Sequence, residues 1–82
     1  MDNIIYYLKL NYKKNGKKIA IQEIDKKITY KDLYNKSKVF SNAIKEYNNE
    51  PILLFMPKSI DLSIAMLGVT LSGNYYTVMD NN

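Results

Sequence analysis

A chain of 82 residues is short for one domain and leaves no room for two, since domains usually run to roughly 100–200 residues. It is 46% hydrophobic and 24% charged, the balance of a globular chain rather than a disordered one. Cysteine and histidine are both absent, which excludes disulfide frameworks, Cys/His zinc sites, Ser-His-Asp triads and Cys-His dyads together.

The formal charge of +4 rests on 12 Lys with no Arg. Arginine reads phosphates and guanine edges through a planar fork, so its absence argues against a nucleic-acid partner. Lys, Asn, Ile and Tyr supply 40 of the 82 residues, a bias of AT-rich coding that raises basicity without selecting a partner. The densest basic run, Lys13, Lys14, Lys17 and Lys18 around Gly16, reads as a solvated helix end. There cations meet the negative end of the dipole and glycine supplies a left-handed stop. Asp2 comes first and Lys9 soon breaks the N-terminal apolar stretch, so no secretory signal is expected and the location expected is cytoplasmic. From Leu62 to Met79 there is no charge, but Gly68, Thr70, Ser72, Gly73, Asn74 and Thr77 interrupt the stretch. Burial inside a protein, not a membrane span, is expected.

In chain order, Asp2 can cap a first helix whose apolar positions are Ile4, Ile5, Leu8 and Tyr12. Lys18 to Ile24 and Ile28 to Tyr30 read as two short strands joined by a turn at Asp25, Lys26 and Lys27, that is, a hairpin. Thr29 with Asp32 three residues on is a capping-box pattern. The helix it opens carries a buried stripe of Leu33, Ser37, Phe40, Ile44 and Tyr47, with Ala43 beside it. Lys31, Asn35, Lys38, Asn42 and Lys45 fall on the opposite face.

Pro51 marks the first position of a strand, and Ile52 to Met56 form an unbroken apolar run of strand length. Such a run predicts coverage on both faces, as in a parallel sheet. Ser59 and Asp61 can start a helix over Ile60 to Ser72 that is apolar around most of its circumference, Gly73 stops it, and Tyr75 to Met79 forms another strand. Strand, helix and strand with these loop lengths make a right-handed parallel βαβ unit. The expected fold class is therefore α/β: an N-terminal helix, a short hairpin, an amphipathic helix and a βαβ unit.

Ile28-Thr29-Tyr30-Lys31-Asp32-Leu33 resembles the Leu-Thr-Tyr-x-Glu-Leu signature near the N-terminus of adenylate-forming enzymes, above all amino-acid adenylation domains of nonribosomal peptide synthetases and D-alanine-carrier protein ligases. Leu71 to Asp80 resembles that family's Leu-Lys-Ala-Gly-x-x-Tyr-x-Pro-Leu-Asp signature, with Val78 in place of Pro and Met79 in place of Leu. The two lie in the family's order, and the resemblance spans about Lys18 to Asp80. It implies a partial adenylation-domain fold, with residues 1–82 as the N-terminal segment of the large subdomain. It also implies a parent that uses ATP and Mg²⁺ to activate an amino or other carboxylic acid as its adenylate and passes it to the phosphopantetheine thiol of a carrier protein. The remainder of the adenylation domain would then be a partner.

The matched residues Thr29, Tyr30, Asp32, Leu33, Gly73, Tyr76 and Asp80 are expected to serve as scaffold, because capping, a helix stop and strand propensity account for each. No catalytic, cofactor-binding or metal residue is assigned. Gly16, Gly68 and Gly73 are the only glycines, too dispersed for a phosphate-cradling loop. Asp80 follows a buried strand, the place where α/β proteins bind ligands, but reads first as a loop-starting carboxylate. The chain alone is expected to be inactive, without a membrane or nucleic-acid partner. The alternative is a free-standing α/β interaction or dimerisation module that self-associates through an exposed sheet edge and apolar helix.

Overall fold

A computed structural model describes residues 3–79. In chain order these form α1 (Asn3–Lys14), β1 (Ile19–Gln22), β2 (Lys27–Thr29), α2 (Tyr30–Ala43), β3 (Pro51–Phe55), α3 (Ile60–Leu71) and β4 (Tyr75–Met79). The α/β class and the order of elements are those the sequence predicts. The Asp2 cap and Asp80 lie outside the described residues.

β1 and β2 pair antiparallel, with an irregularity between Ile19 and Ile21. β1 is shorter than the Lys18 to Ile24 read from the sequence, β2 lies one residue earlier than Ile28 to Tyr30 because Tyr30 opens α2, and Ile24 stands fully exposed at the hairpin tip. β3 and β4 pair parallel in unbroken register from Pro51 opposite Tyr75 to Phe55 opposite Met79, so α3 is the crossover of a βαβ unit.

α3 explains its own composition. Ile60, Ile64 and Leu67 join a core with Leu8, Ile28 and Leu33. Leu62, Ala65, Met66 and Val69 join a second core with Leu54, Phe40, Ile44, Ile52 and Met56. A helix wedged between two cores needs apolar side chains all round, and Asp61 is its only exposed residue. Its start is capped by Ser59, whose Oγ accepts from Leu62 N at 3.1 Å. Its end is closed by Gly73, whose φ of +87° lies in the left-handed region that costs glycine little.

Four expectations are corrected. α2 ends at Ala43 with Ile44 as its cap, so Tyr47, 44% exposed, leaves the stripe and enters the connection to β3. Ala43 is exposed as well. In α1 only Leu8 of the predicted positions is buried, and the other buried residue is Asn11, whose Nδ2 donates to Tyr7 O at 3.0 Å. Gly16 does not take a left-handed conformation; its carbonyl accepts from Lys31 N, which ties the end of α1 to the start of α2. Lastly, the described residues cover β3 on one face only: Leu53 and Phe55 are 59% and 61% exposed.

α2 and α3 meet closely at Gly68. A β-carbon built there would lie 2.8 Å from Phe40 Cβ and 2.9 Å from the Ser37 carbonyl oxygen. Ser37 is fully buried at this contact, and its Oγ has no hydrogen-bond partner among the described residues. An orphaned buried hydroxyl keeps its desolvation cost without a compensating bond. Ser37→Ala is therefore expected to stabilise the chain by about 1 kcal/mol. A higher midpoint of urea unfolding followed by circular dichroism would show it, and an unchanged or lower midpoint would refute it.

Candidate functional site

The first signature segment spans the junction of β2 and α2. Thr29, in extended conformation, accepts from Asp32 N through Oγ1 at 3.2 Å, a cap of about 1 kcal/mol. The Asp32 carboxylate accepts no return bond among the described residues. It still sits in the first turn, where the helix dipole favours a negative charge. Leu33 is a core residue and Tyr30 is half-buried. In the second segment, Gly73 has open space beside its α-carbon and Tyr76 is 41% exposed on β4.

The fold brings Tyr30, Leu33 and Tyr76 onto one groove of about 520 Å³ between α1, β1, α2, α3 and β4. Its walls are mainly apolar, with Leu8, Ile21, Met66 and Leu67 among them. Its polar groups are hydroxyls only: Tyr7, Tyr30, Tyr76, Ser63 and Thr70. Thr70 is already engaged, donating to Met66 O at 3.0 Å. Tyr7 and Tyr30 meet edge to face with ring centroids 6.5 Å apart. The Tyr7 hydroxyl, then burial, hold the Tyr30 phenol above its ordinary value of 10.0, so it remains a neutral donor at physiological pH and not a base. Asp32 lies elsewhere, in a polar cleft of about 450 Å³ with Glu23, Lys26, Lys27, Lys36 and Asp61.

Neither recess suits a magnesium-bound nucleoside triphosphate. The groove has no charged group in its walls to meet phosphate oxygens or a cation. The cleft mixes lysines with carboxylates, and Glu23 is committed to the protein itself. Among the described residues no cluster of three His, Cys, Asp or Glu could hold a metal ion. What the groove can do is bury an apolar or aromatic surface and offer it a few hydroxyls.

Two residues matter to this geometry that the sequence does not single out. Glu23 Oε2 accepts from Ile60 N at 3.0 Å, so the hairpin supplies a second cap to α3 and locks both halves together. Asn74 is buried. Its Oδ1 accepts from Glu50 N at 2.8 Å, and its Nδ2 donates to Tyr47 O at 3.1 Å and Ser72 Oγ at 2.8 Å. These bonds hold the connection leading into β3 against the start of β4. Both partnerships cross many residues of chain, so local pattern carries no sign of Glu23. The Gly-Asn pair after the helix is the sole hint of Asn74.

No family model matches the chain. Over 60 residues, 70% of the chain, it is 37% identical to acetyl-coenzyme A synthetase of Vibrio vulnificus (strain CMCP6), of which it covers 9%. Among solved structures, VinN superposes on 96% of the chain with a TM-score of 0.88 at 18% identity, the chain covering 22% of it. A benzoate CoA ligase from Burkholderia xenovorans LB400 superposes on 96% with a TM-score of 0.83 at 26% identity, with 17% of the ligase covered. PA1221, an NRPS protein containing adenylation and PCP domains, superposes on 94% with a TM-score of 0.76 at 16% identity, with 16% covered. The chain thus spans less than a quarter of the length of each of these four proteins. Its α/β elements and its parallel β3–β4 pair match this fold, and the chain is a segment of an enzyme of the adenylate-forming family.

Proposed function

We propose that residues 1–82 are the N-terminal scaffold segment of the large subdomain of an ATP-dependent, adenylate-forming ligase. The parent activates an amino or other carboxylic acid. The carboxylate oxygen bonds to the α-phosphorus of ATP as pyrophosphate leaves, and a phosphopantetheine thiol of a carrier protein then takes the acyl group as AMP leaves. The observation that carries this reading is the superposition of 96% of the chain on the first of these structures, joined to 37% identity with a CoA synthetase. The PCP domain of PA1221 supports a carrier protein as acceptor, and the requirement for ATP supports a cytoplasmic location.

In this reading the parent's ATP, Mg²⁺ and acyl substrate bind outside these 82 residues. Thr29, Tyr30, Asp32, Leu33, Gly73, Tyr76 and Asp80 act as scaffold, and the chain alone is inert. Its contribution is to set α3 and the β3–β4 pair in place, the corner on which a larger sheet is built. ATP–pyrophosphate exchange tests both parts. The isolated chain should give none with any acid, and turnover would refute its inertness. A chimera in which these residues replace the matching stretch of the Vibrio vulnificus synthetase should retain acetate-dependent exchange. A folded chimera without it would overturn the scaffold role.

A further inference from the structure

The turn that links α1 to β1 is held by backbone bonds at both ends. Asn15 N donates to Asn11 O at 2.7 Å, Lys18 N to Asn15 O at 2.9 Å, and Lys31 N to Gly16 O at 3.0 Å. The Gly16 N–H itself donates to no group among the described residues. Glycine is needed here, since a β-carbon would lie 3.0 Å from the Tyr12 carbonyl oxygen. Of the ten asparagines in the chain, Asn15 alone precedes a glycine. With no side chain to shield it, a glycine nitrogen can approach the side-chain carbonyl carbon of the residue before it. Such an attack builds negative charge, first on nitrogen and then on oxygen. Lys13, Lys14, Lys17 and Lys18 flank the pair, and cations beside a developing negative charge lower its energy.

We propose that Asn15 converts spontaneously to aspartate and isoaspartate, assisted by the lysines beside it, and that the change loosens α1 from α2. Gly16 N bonds to Asn15 Cγ and gives up its proton, and ammonia leaves from Cγ, which closes a succinimide ring. Water then opens the ring. Cleavage of the new N–Cγ bond leaves aspartate, and cleavage of the original peptide C–N bond leaves isoaspartate. One water is consumed and one ammonia released, with no oxidant or reductant. Neither product can keep the existing bonds. Asn15 Nδ2 donates to Asn11 Oδ1 at 2.9 Å, and a carboxylate has no proton to offer the buried Asn11. Isoaspartate also adds a methylene to the main chain between Asn15 N, bonded to α1, and Gly16 O, bonded to α2. The tie between the two helices is thereby stretched.

The proposal is independent of the ligase reading, because its readout is mass and charge and not turnover. The 82-residue chain is incubated at neutral pH and body temperature and mapped by mass spectrometry of its peptides. Conversion at Asn15 should run at least about tenfold faster than at any other asparagine. Isoaspartate should be detected there by enzymatic methylation, and the formal charge of +4 should fall by one. Asn15→Gln should abolish the charge change, because its longer side chain closes a ring far more slowly. Lys14→Gln combined with Lys17→Gln should slow conversion at least about twofold, with the far-ultraviolet spectrum unchanged. Converted protein, separated by charge, should exchange the Lys31 amide hydrogen faster than unconverted protein. Conversion at Asn15 no faster than elsewhere, a rate indifferent to the two lysine changes, or unchanged exchange at Lys31 would overturn the proposal.

Discussion

Asn74→Ala is expected to destabilise the chain by about 3 kcal/mol, the sum of bonds lost and partners stranded. The amide makes three side-chain bonds, to Glu50 N, Tyr47 O and Ser72 Oγ, in a site that leaves the residue 6% exposed. Truncation removes all three and leaves the Glu50 N–H without an acceptor, at a cost larger than the net worth of the bond itself. Two backbone bonds would remain, from Tyr75 N to Glu50 O and from Asn74 N to Val69 O. The β3–β4 pairing should therefore loosen at its Pro51 end before it parts. Asn74→Asp sharpens the test. Its shape is nearly unchanged, but a carboxylate cannot donate and would face the Tyr47 carbonyl, so it should be about as damaging as Ala at neutral pH. Urea unfolding should give a sharply lower midpoint for both, with faster amide exchange at Tyr75 and Ile52. A loss below about 0.5 kcal/mol in either variant would show that the bonds contribute only what surface contacts do.

Gly68→Ala should cost about 2 kcal/mol, although alanine favours a helix interior over glycine by about 1 kcal/mol. The sign is set by space. The new methyl would meet Phe40 Cβ and Cδ1 at 2.8 Å and the Ser37 carbonyl at 2.9 Å, and neither a β-carbon nor a helix carbonyl can step aside alone. α2 and α3 must move apart, which thins contacts around Val69, the most deeply buried large side chain. Overpacking of this kind costs about 1–3 kcal/mol. Phe40→Leu in the Gly68→Ala background should recover part of the loss by clearing the aromatic edge, and the urea midpoints of the two single variants and the double variant give the coupling directly. A Gly68→Ala chain more stable than the parent would mean that the two helices can separate at little cost.

The elements themselves were legible because each obeys a local rule. Thr29 and Ser59 stand where helix starts need oxygen acceptors, Gly73 where a helix stop needs a positive φ, and the apolar run from Ile52 falls on the strand β3. The helix–strand alternation from Pro51 onward was enough for a parallel pair, since loops this short between a helix and two strands admit little else. The family signatures lie on these same elements, which is why fold and family could be reached together.

Local rules failed where a distant residue decided the outcome. The apolar stripe of α2 runs on to Tyr47 in sequence, but the helix stops at Ala43, and Tyr47 lies in the connection to β3, where its carbonyl accepts from Asn74 across 27 residues. α1 has a helical pattern whose Ile4 still stands 53% exposed, because what lies across from a helix is not written in its own periodicity. The apolar run of β3 promised cover on two faces, and the described chain supplies one. Composition and spacing thus determined which segments are helix or strand, since capping, turn chemistry and hydrophobic period act over a few residues. Only the tertiary structure decided that Glu23 caps α3, that Asn74 clasps the sheet, and that Tyr30, Leu33 and Tyr76 share a groove. Each of these depends on the meeting of residues far apart in the chain, which no local preference encodes.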